Sequence, residues 1–253
     1  MSDVRLVSLT PDDLDAHHLC CALSDKKHTE GAAAKKAWLR DRLAEGARFV
    51  KLDVRGKVFV EYAPAEVAWR PIVAPGFMVI HCLWVSGRFT KQGHAARLLQ
   101  HCIDDTRSRG MAGVVVAVSA RKRPFLGDRR FFQHHGFEEV DRAGEFRLMV
   151  RRLDDSAATP RFAPAVHQPG ADLPEGFRIR WDDQCPFNRH WAPKVAEWLR
   201  ARGHTVVVEQ VTSARQAQQV ASPLGTYGLE APGRLATHHL NTEKATDRML
   251  AKL

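Results

Sequence analysis

The chain has 253 residues, 44% of them hydrophobic, and a formal net charge of +9, enough for one large or two ordinary cores. No apolar run approaches the ~18 residues of a membrane-spanning helix, and Met1–Thr10 lacks the layout of a signal peptide. Five scattered cysteines, two of them adjacent at Cys20-Cys21, make no disulfide framework, so the expected setting is a reducing cytoplasm. The positive charge fits an arginine-rich surface or a field that draws in an anionic ligand. No RNA-binding motif or strongly basic run argues for nucleic acid.

Val4 to Ser8 alternates as a first strand. Thr10-Pro11-Asp12-Asp13 has the features of a helix start, and a short helix is expected to about Cys21. A second helix runs from about Glu30 to Ala44, with Trp38, Leu39 and Leu43 on its apolar side. Strands over Phe49–Val54 and Lys57–Tyr62 are joined by Arg55-Gly56, a hairpin signal. A loop over Ala63–Pro75 leads into Phe77–Val85, an unbroken apolar and aromatic run that reads as a buried strand. A helix follows through the small residues Gly93, Ala95 and Ala96, with Leu98, Leu99, Cys102 and Ile103 at helical spacing. Gly113–Ser119 is a β-branched strand, Pro124–His135 becomes helical at its end, and Phe146–Val150 is a last strand.

Composition then shifts. Residues 154–175 are rich in Asp, Ser, Ala, Thr and Pro and read as a linker between a domain over 1–153 and a second over 176–253. The second opens with a strand at Phe177–Trp181 and then Cys185-Pro186-Phe187-Asn188. There follow a helix to about Arg202, a strand Thr205–Val211, a helix Ala214–Val220, Pro223, a hairpin turning at Pro232-Gly233, and a closing helix over Thr242–Leu253.

Where the Phe77–Val85 strand turns into its helix, backbone N–H groups converge and the helix dipole adds positive potential. That is an anion site, with Arg88, Lys91 and Arg97 able to add charge. Thr90-Lys91-Gln92-Gly93-His94-Ala95 resembles the pyrophosphate-binding pattern Gln/Arg-x-x-Gly-x-Gly/Ala of the GNAT acyltransferases, with Thr90 where Gln or Arg is usual. Phe131, Phe132 and Gly136-Phe137 resemble the closing helix of that family. Ile80-His-Cys-Leu-Trp-Val-Ser-Gly87 and Glu61-Tyr-x-Pro-x-Glu-x-x-Trp-Arg70 look like the YoaP-like branch, which joins a GNAT domain to an extra C-terminal domain.

The resemblance covers about residues 1–153 and implies an α/β GNAT fold, a mixed sheet whose central strands splay around acyl-CoA. It implies acetyl-CoA as co-substrate and no metal. Leu83, Val85, Arg88, Lys91, Gln92, Gly93, His94, Ala95, Ala96, Ser119 and Phe132 are the implied cofactor contacts. The region from 176 on resembles a glutaredoxin, whose motif is Cys-Pro-Tyr/Phe-Cys with a cis-proline before the third strand. Cys185-Pro186-Phe187 and Pro223 fit, and Asn188 replaces the second cysteine.

Acyl transfer to an amine needs a proton acceptor, since only the neutral amine attacks the thioester. Counting in twos from Val85 places Leu83, His81 and Val79 on one face of the strand. His81 is the candidate base, at a step that resembles one used by arylalkylamine N-acetyltransferases, and the alternative is a core histidine bonded to a carbonyl. The family tyrosine that protonates the leaving thiolate falls at Phe132, which has no proton to give. Glu61, Tyr62, Glu66 and Trp69 form the expected substrate set, two acids for a cationic amine and an aromatic wall, against the alternative of a solvated acidic loop with one buried Trp.

Cys82 is expected in the core, and the adjacent histidine pairs 17/18, 134/135 and 238/239 point different ways and are not read as metal ligands. Cys185 stands at a helix start, where a thiol becomes reactive, so thiol-binding chemistry competes with a domain that serves as a lid or dimer surface. The expected activity is acetylation of a primary amine on a small molecule, such as an amino acid derivative or an antibiotic. A thiol-linked binding protein and a protein- or tRNA-directed acyltransferase are the alternatives, and homodimerisation stays open.

Overall fold

The computed structural model describes residues 4–19, 26–121, 126–240 and 242–253; Cys20, Cys21 and Pro124 lie outside them. The chain divides into two compact units. The first takes the described residues of Met1–Leu23, Leu39–Ala68 and Ile72–Phe162; the second takes those of Ser24–Trp38, Trp69–Pro71 and Ala163–Leu253. None of the described helices is long and apolar enough to cross a membrane.

In chain order the elements up to residue 162 are β1 (Leu6–Ser8), α1 (Thr29–Ala44), β2 (Arg48–Leu52), β3 (Val58–Pro64), β4 (Ile72–Val73), β5 (Phe77–Val85), α2 (His94–Ser108), β6 (Gly113–Ser119), α3 (Arg129–His134), β7 (Glu138–Ala143), β8 (Phe146–Arg152) and β9 (Arg161–Phe162). Seven strands form one sheet in the order β1-β2-β3-β5-β6-β8-β7. Its neighbours are antiparallel except β5 and β6, which run parallel. The amphipathic helix α2 buries Leu98, Leu99, Cys102 and Ile103 in a core with Val60, Met78, Ile80, Val116 and Phe132. Each such fully buried leucine contributes about 1.5–3 kcal/mol.

Three expectations are corrected here. The helix start at Thr10 yields only successive turns over the described residues 11–16, with isolated bonds from Asp13 N to Thr10 O and from Ala16 N to Asp13 O. The Thr10 hydroxyl donates to Asp13 Oδ2 at 2.7 Å, but no ladder propagates. Strand β7 was not expected, because Glu138, Glu139, Asp141 and Arg142 mask any apolar alternation. It is the last strand of the sheet, paired only with β8, and charged side chains are what an edge tolerates. The linker also carries structure, since β9 pairs with β4 and Phe162 N donates to Asp141 Oδ2 at 2.7 Å.

The second unit adds α4 (Pro164–His167), β10 (Phe177–Trp181), α5 (Asn188–Ala201), β11 (Val206–Gln210), α6 (Ala214–Ala217), β12 (Tyr227–Ala231), β13 (Arg234–Thr237) and α7 (Glu243–Leu250). Its sheet runs β11-β10-β12-β13, with β10 parallel to β11 and antiparallel to β12. Ala192, Val195, Ala196 and Leu199 of α5 pack on Ile179, Tyr227 and Leu229. Arg178 joins the preceding segment to this sheet, donating to Asp172 and to the buried Glu230 at 2.7 Å each. Gly170 lies so close to the Ala231 carbonyl that a side chain there would clash.

Candidate functional site

Strand β5 pairs with β3 along most of its length, but with β6 only from Phe77↔Gly113 to Ile80↔Val116. Strand β6 runs on to Ser119, paired on its other edge with β8. From His81 onward β6 therefore offers β5 no further rung, and the two parallel strands part. Ser119 lies at the far end of β6, 1% exposed, and its hydroxyl has no hydrogen-bond partner among the described residues.

Beyond β5 the chain makes a turn at Gly87–Phe89 and enters α2 through Gly93. Lys91 and Gly93 both have positive φ, 61° and 78°. Gly93 is the N-cap of α2 and has no side chain to cap its first-turn N–H groups. A Cβ placed on Gly93 would meet nothing within 4 Å, so the approach to these groups is open. Arg88, Lys91 and Gln92 are exposed around it, and His94, Ala95 and Ala96 are half-buried. Arg97, expected to add charge here, instead donates to the Val4 carbonyl at 2.6 Å. Gly56 of the β2–β3 hairpin lies against the Phe89 ring, with no room for a side chain between them.

A register shift distinguishes the middle of β5. Glu61 faces Cys82 and Tyr62 faces Ile80, so His81 is an extra residue bulged out of the ladder. The bulge corrects the expected alternation. The core under α2 takes Met78 and Ile80 before it but Leu83 and Val85 after it, so Val79 and Leu83 do not share a face. At the bulge His81 Nδ1 lies 3.6 Å from Glu61 Oε1, with both side chains 1% exposed. Glu61 thus sits inside β3 rather than beside the loop that follows it.

Tyr62 is buried as well, its hydroxyl donating to Asp105 of α2 at 3.1 Å, and burial pushes its pKa up. Glu66 is exposed and accepts from Gly76 N at 2.7 Å. Phe132 is buried, edge-on to Phe131 and Phe137 at 5.2 Å each. It packs the core and brings no proton donor to the position.

Trp69 and Cys185 belong to the second unit. Trp69 is buried, edge-on to Trp38 at 5.4 Å. Half-buried Cys185 precedes α5, and Asn188 is buried, donating to the carbonyls of Asp182 at 3.0 Å and Thr226 at 2.6 Å. No described residue follows a cis peptide bond, so Pro223 departs from the cis-proline it was matched to. Gly31 packs against the Pro186 carbonyl with no space for a Cβ.

Asp182, not singled out in the sequence, is fully buried, and burial lifts its pKa to about 7 against the opposing pull of Arg70 and Lys35. Its Oδ1 accepts from Gln184 N at 3.0 Å, and the Gln184 side chain accepts from Arg70. An Asp-Asp pair after a strand gives no hint in sequence that the first is buried.

Residues 13–137 match the acetyltransferase (GNAT) family. The chain is 37% identical over 248 residues to the uncharacterized N-acetyltransferase YoaP of Bacillus subtilis, covering 98% of each. Among solved structures it is similar to the PaiA N-acetyltransferase of Thermoplasma acidophilum in complex with coenzyme A, at 14% identity and a TM-score of 0.43, covering 60% of this chain and 100% of that one. It is also similar to the GNAT family N-acetyltransferase YhbS of Escherichia coli in complex with CoA, at 17% identity and a TM-score of 0.42, covering 63% and 89%. The chain belongs to the GNAT family and is a GNAT-family N-acetyltransferase.

Proposed function

We propose that the protein transfers the acetyl group of acetyl-CoA to the primary amine of a small molecule. The observation that carries this reading is the parting of β5 from β6 directly before the open, glycine-led start of α2. The pyrophosphate of acetyl-CoA meets the first-turn N–H groups, with Arg88, Lys91 and Gln92 around it. Pantetheine follows β5 past Val85 and Leu83 into the gap toward Ser119.

His81, the first residue of β5 beyond the shared rungs, takes the proton from the attacking amine. The nitrogen attacks the thioester carbonyl, the tetrahedral adduct collapses, and the C–S bond breaks to release CoA thiolate. Phe132 cannot protonate that thiolate, so its proton comes from another group or from water. Exposed Glu66 supplies a carboxylate suited to a cationic acceptor.

For the C-terminal region we propose a thioredoxin- or glutaredoxin-like domain over 176–253, after a GNAT domain over 1–153 and a connecting segment over 154–175. The strand order β11-β10-β12-β13, with its single parallel pair, supports this. The thiol-linked reading is weaker. No cysteine follows Cys185, and Asn188 at the partner position is committed to two carbonyls.

Calorimetric titration with acetyl-CoA, then a primary-amine library scored by release of free CoA, tests the assignment. His81→Gln should lower kcat by about 10²–10⁴-fold with little change in the KM for acetyl-CoA. No binding at millimolar acetyl-CoA would end this reading.

A further inference from the structure

We propose that Glu61 is a positioning residue that acts through His81, holding its imidazole with the proton on Nδ1, so that Nε2 is the atom that takes the amine proton. The inference rests on His81 as the base and adds what makes it one.

The sequence alone places Glu61 among groups that touch the substrate. The structure gives it a different neighbour. Glu61 is fully buried within β3, and its Oε1 lies 3.6 Å from Nδ1 of an imidazole that is itself 1% exposed. The strand register brings the two together: Tyr62 faces Ile80 and Glu61 faces Cys82, so His81, the residue between, lies beside the Glu61 rung.

Charges out of water interact strongly, so a carboxylate at this distance favours the protonated imidazole. It also favours one tautomer, because a proton on Nδ1 directed at Oε1 leaves the lone pair on Nε2. The separation exceeds a hydrogen bond, and catalytic contacts of this kind often tighten only when substrate is bound. The proton balance is simple. The N–H bond of the attacking amine breaks, its electron pair stays on nitrogen, and the proton passes to Nε2. The imidazolium carries it next to the carboxylate until it leaves to thiolate or solvent. Glu61 itself gains no proton.

The test is direct NMR observation of His81 in the full chain, with 15N-labelled histidine and His81→Gln for assignment. At neutral pH the neutral form should show Nδ1 protonated and Nε2 bare. Glu61→Gln should lower the pH at which His81 titrates by about one unit or more, and the acidic limb of the pH–rate profile should move with it. Glu61→Asp, which keeps the charge, should restore part of the shift even if the glutamine variant is unstable. An unchanged titration and tautomer in both variants would overturn the proposal. The base assignment fails separately, if His81→Gln keeps its kcat for acetyl transfer to benzylamine or to any amine found in the screen.

Discussion

Each unit has a strand that runs into a helix, β5 into α2 and β10 into α5, and the two junctions are built in opposite ways. At the first, Gly93 carries a left-handed backbone, no side chain caps the helix, and the space around the glycine is empty. At the second, Asn188 turns inward and satisfies the carbonyls of Asp182 and Thr226, while Asp182 itself is sealed in. The same topological position can thus leave a helix start open or tie it back to the protein through side-chain bonds. What decides is whether the first helical residues have side chains that bond back to the protein.

The comparison can be broken most strongly at Asp182. Its folded pKa, raised by burial to about 7, lies above the ordinary value of 3.8, so the folded state binds the proton more tightly than the unfolded one. Its share of stability is fully present below about pH 4 and is lost as pH rises through about 7. Roughly three pH units at about 1.4 kcal/mol each give an upper bound near 4 kcal/mol. Urea unfolding of the full chain at a series of pH values should show this decline, and Asp182→Asn should flatten it.

At the open junction, Gly93→Val places a β-branched residue at φ 78° and fills the approach to the N–H groups. The KM for acetyl-CoA should rise about a hundredfold, near 3 kcal/mol, and an unchanged KM would mean that the cradle lies elsewhere. The mirror experiment is Asn188→Ala. It leaves two carbonyls without their partner and should lower unfolding stability by about 2 kcal/mol, with the KM for acetyl-CoA unmoved. The smallest effects belong to Arg88→Ala and Lys91→Ala. Both side chains are exposed, so each should raise that KM only a few-fold, under about 1 kcal/mol, and the loss should fade in high salt.

What was legible in the sequence was local. Phe77–Val85 was read with the bounds that β5 has, and the Gly93 turn with the helix it opens, because apolar runs and small residues report on their own neighbourhood. What was not legible depended on pairing. The bulge at His81 is a property of how β5 meets β3, and no spacing within Phe77–Val85 encodes it. Glu61 stands in the expected substrate set, with a solvated acid as the alternative, because carboxylates are rarely buried; only the register supplies the histidine beside it. Tyr62 belongs to the same expected set, but its hydroxyl is bonded to Asp105 of α2. Strand β7 escaped because its charges serve the rim rather than the core.

The parting of β5 from β6 has a further consequence. From His81 on, a strand in the middle of a seven-stranded sheet becomes an edge strand. Edges recruit other strands, and proteins normally blunt them with charge, proline or a covering element. Here the strand continues as Cys82, Leu83, Trp84 and Val85, without charge or proline. On the function proposed above, pantetheine takes this edge as a substitute strand. Saturation with CoA should then slow amide hydrogen exchange along residues 81–85 and reduce aggregation on heating, so that the co-substrate doubles as a guard on the sheet.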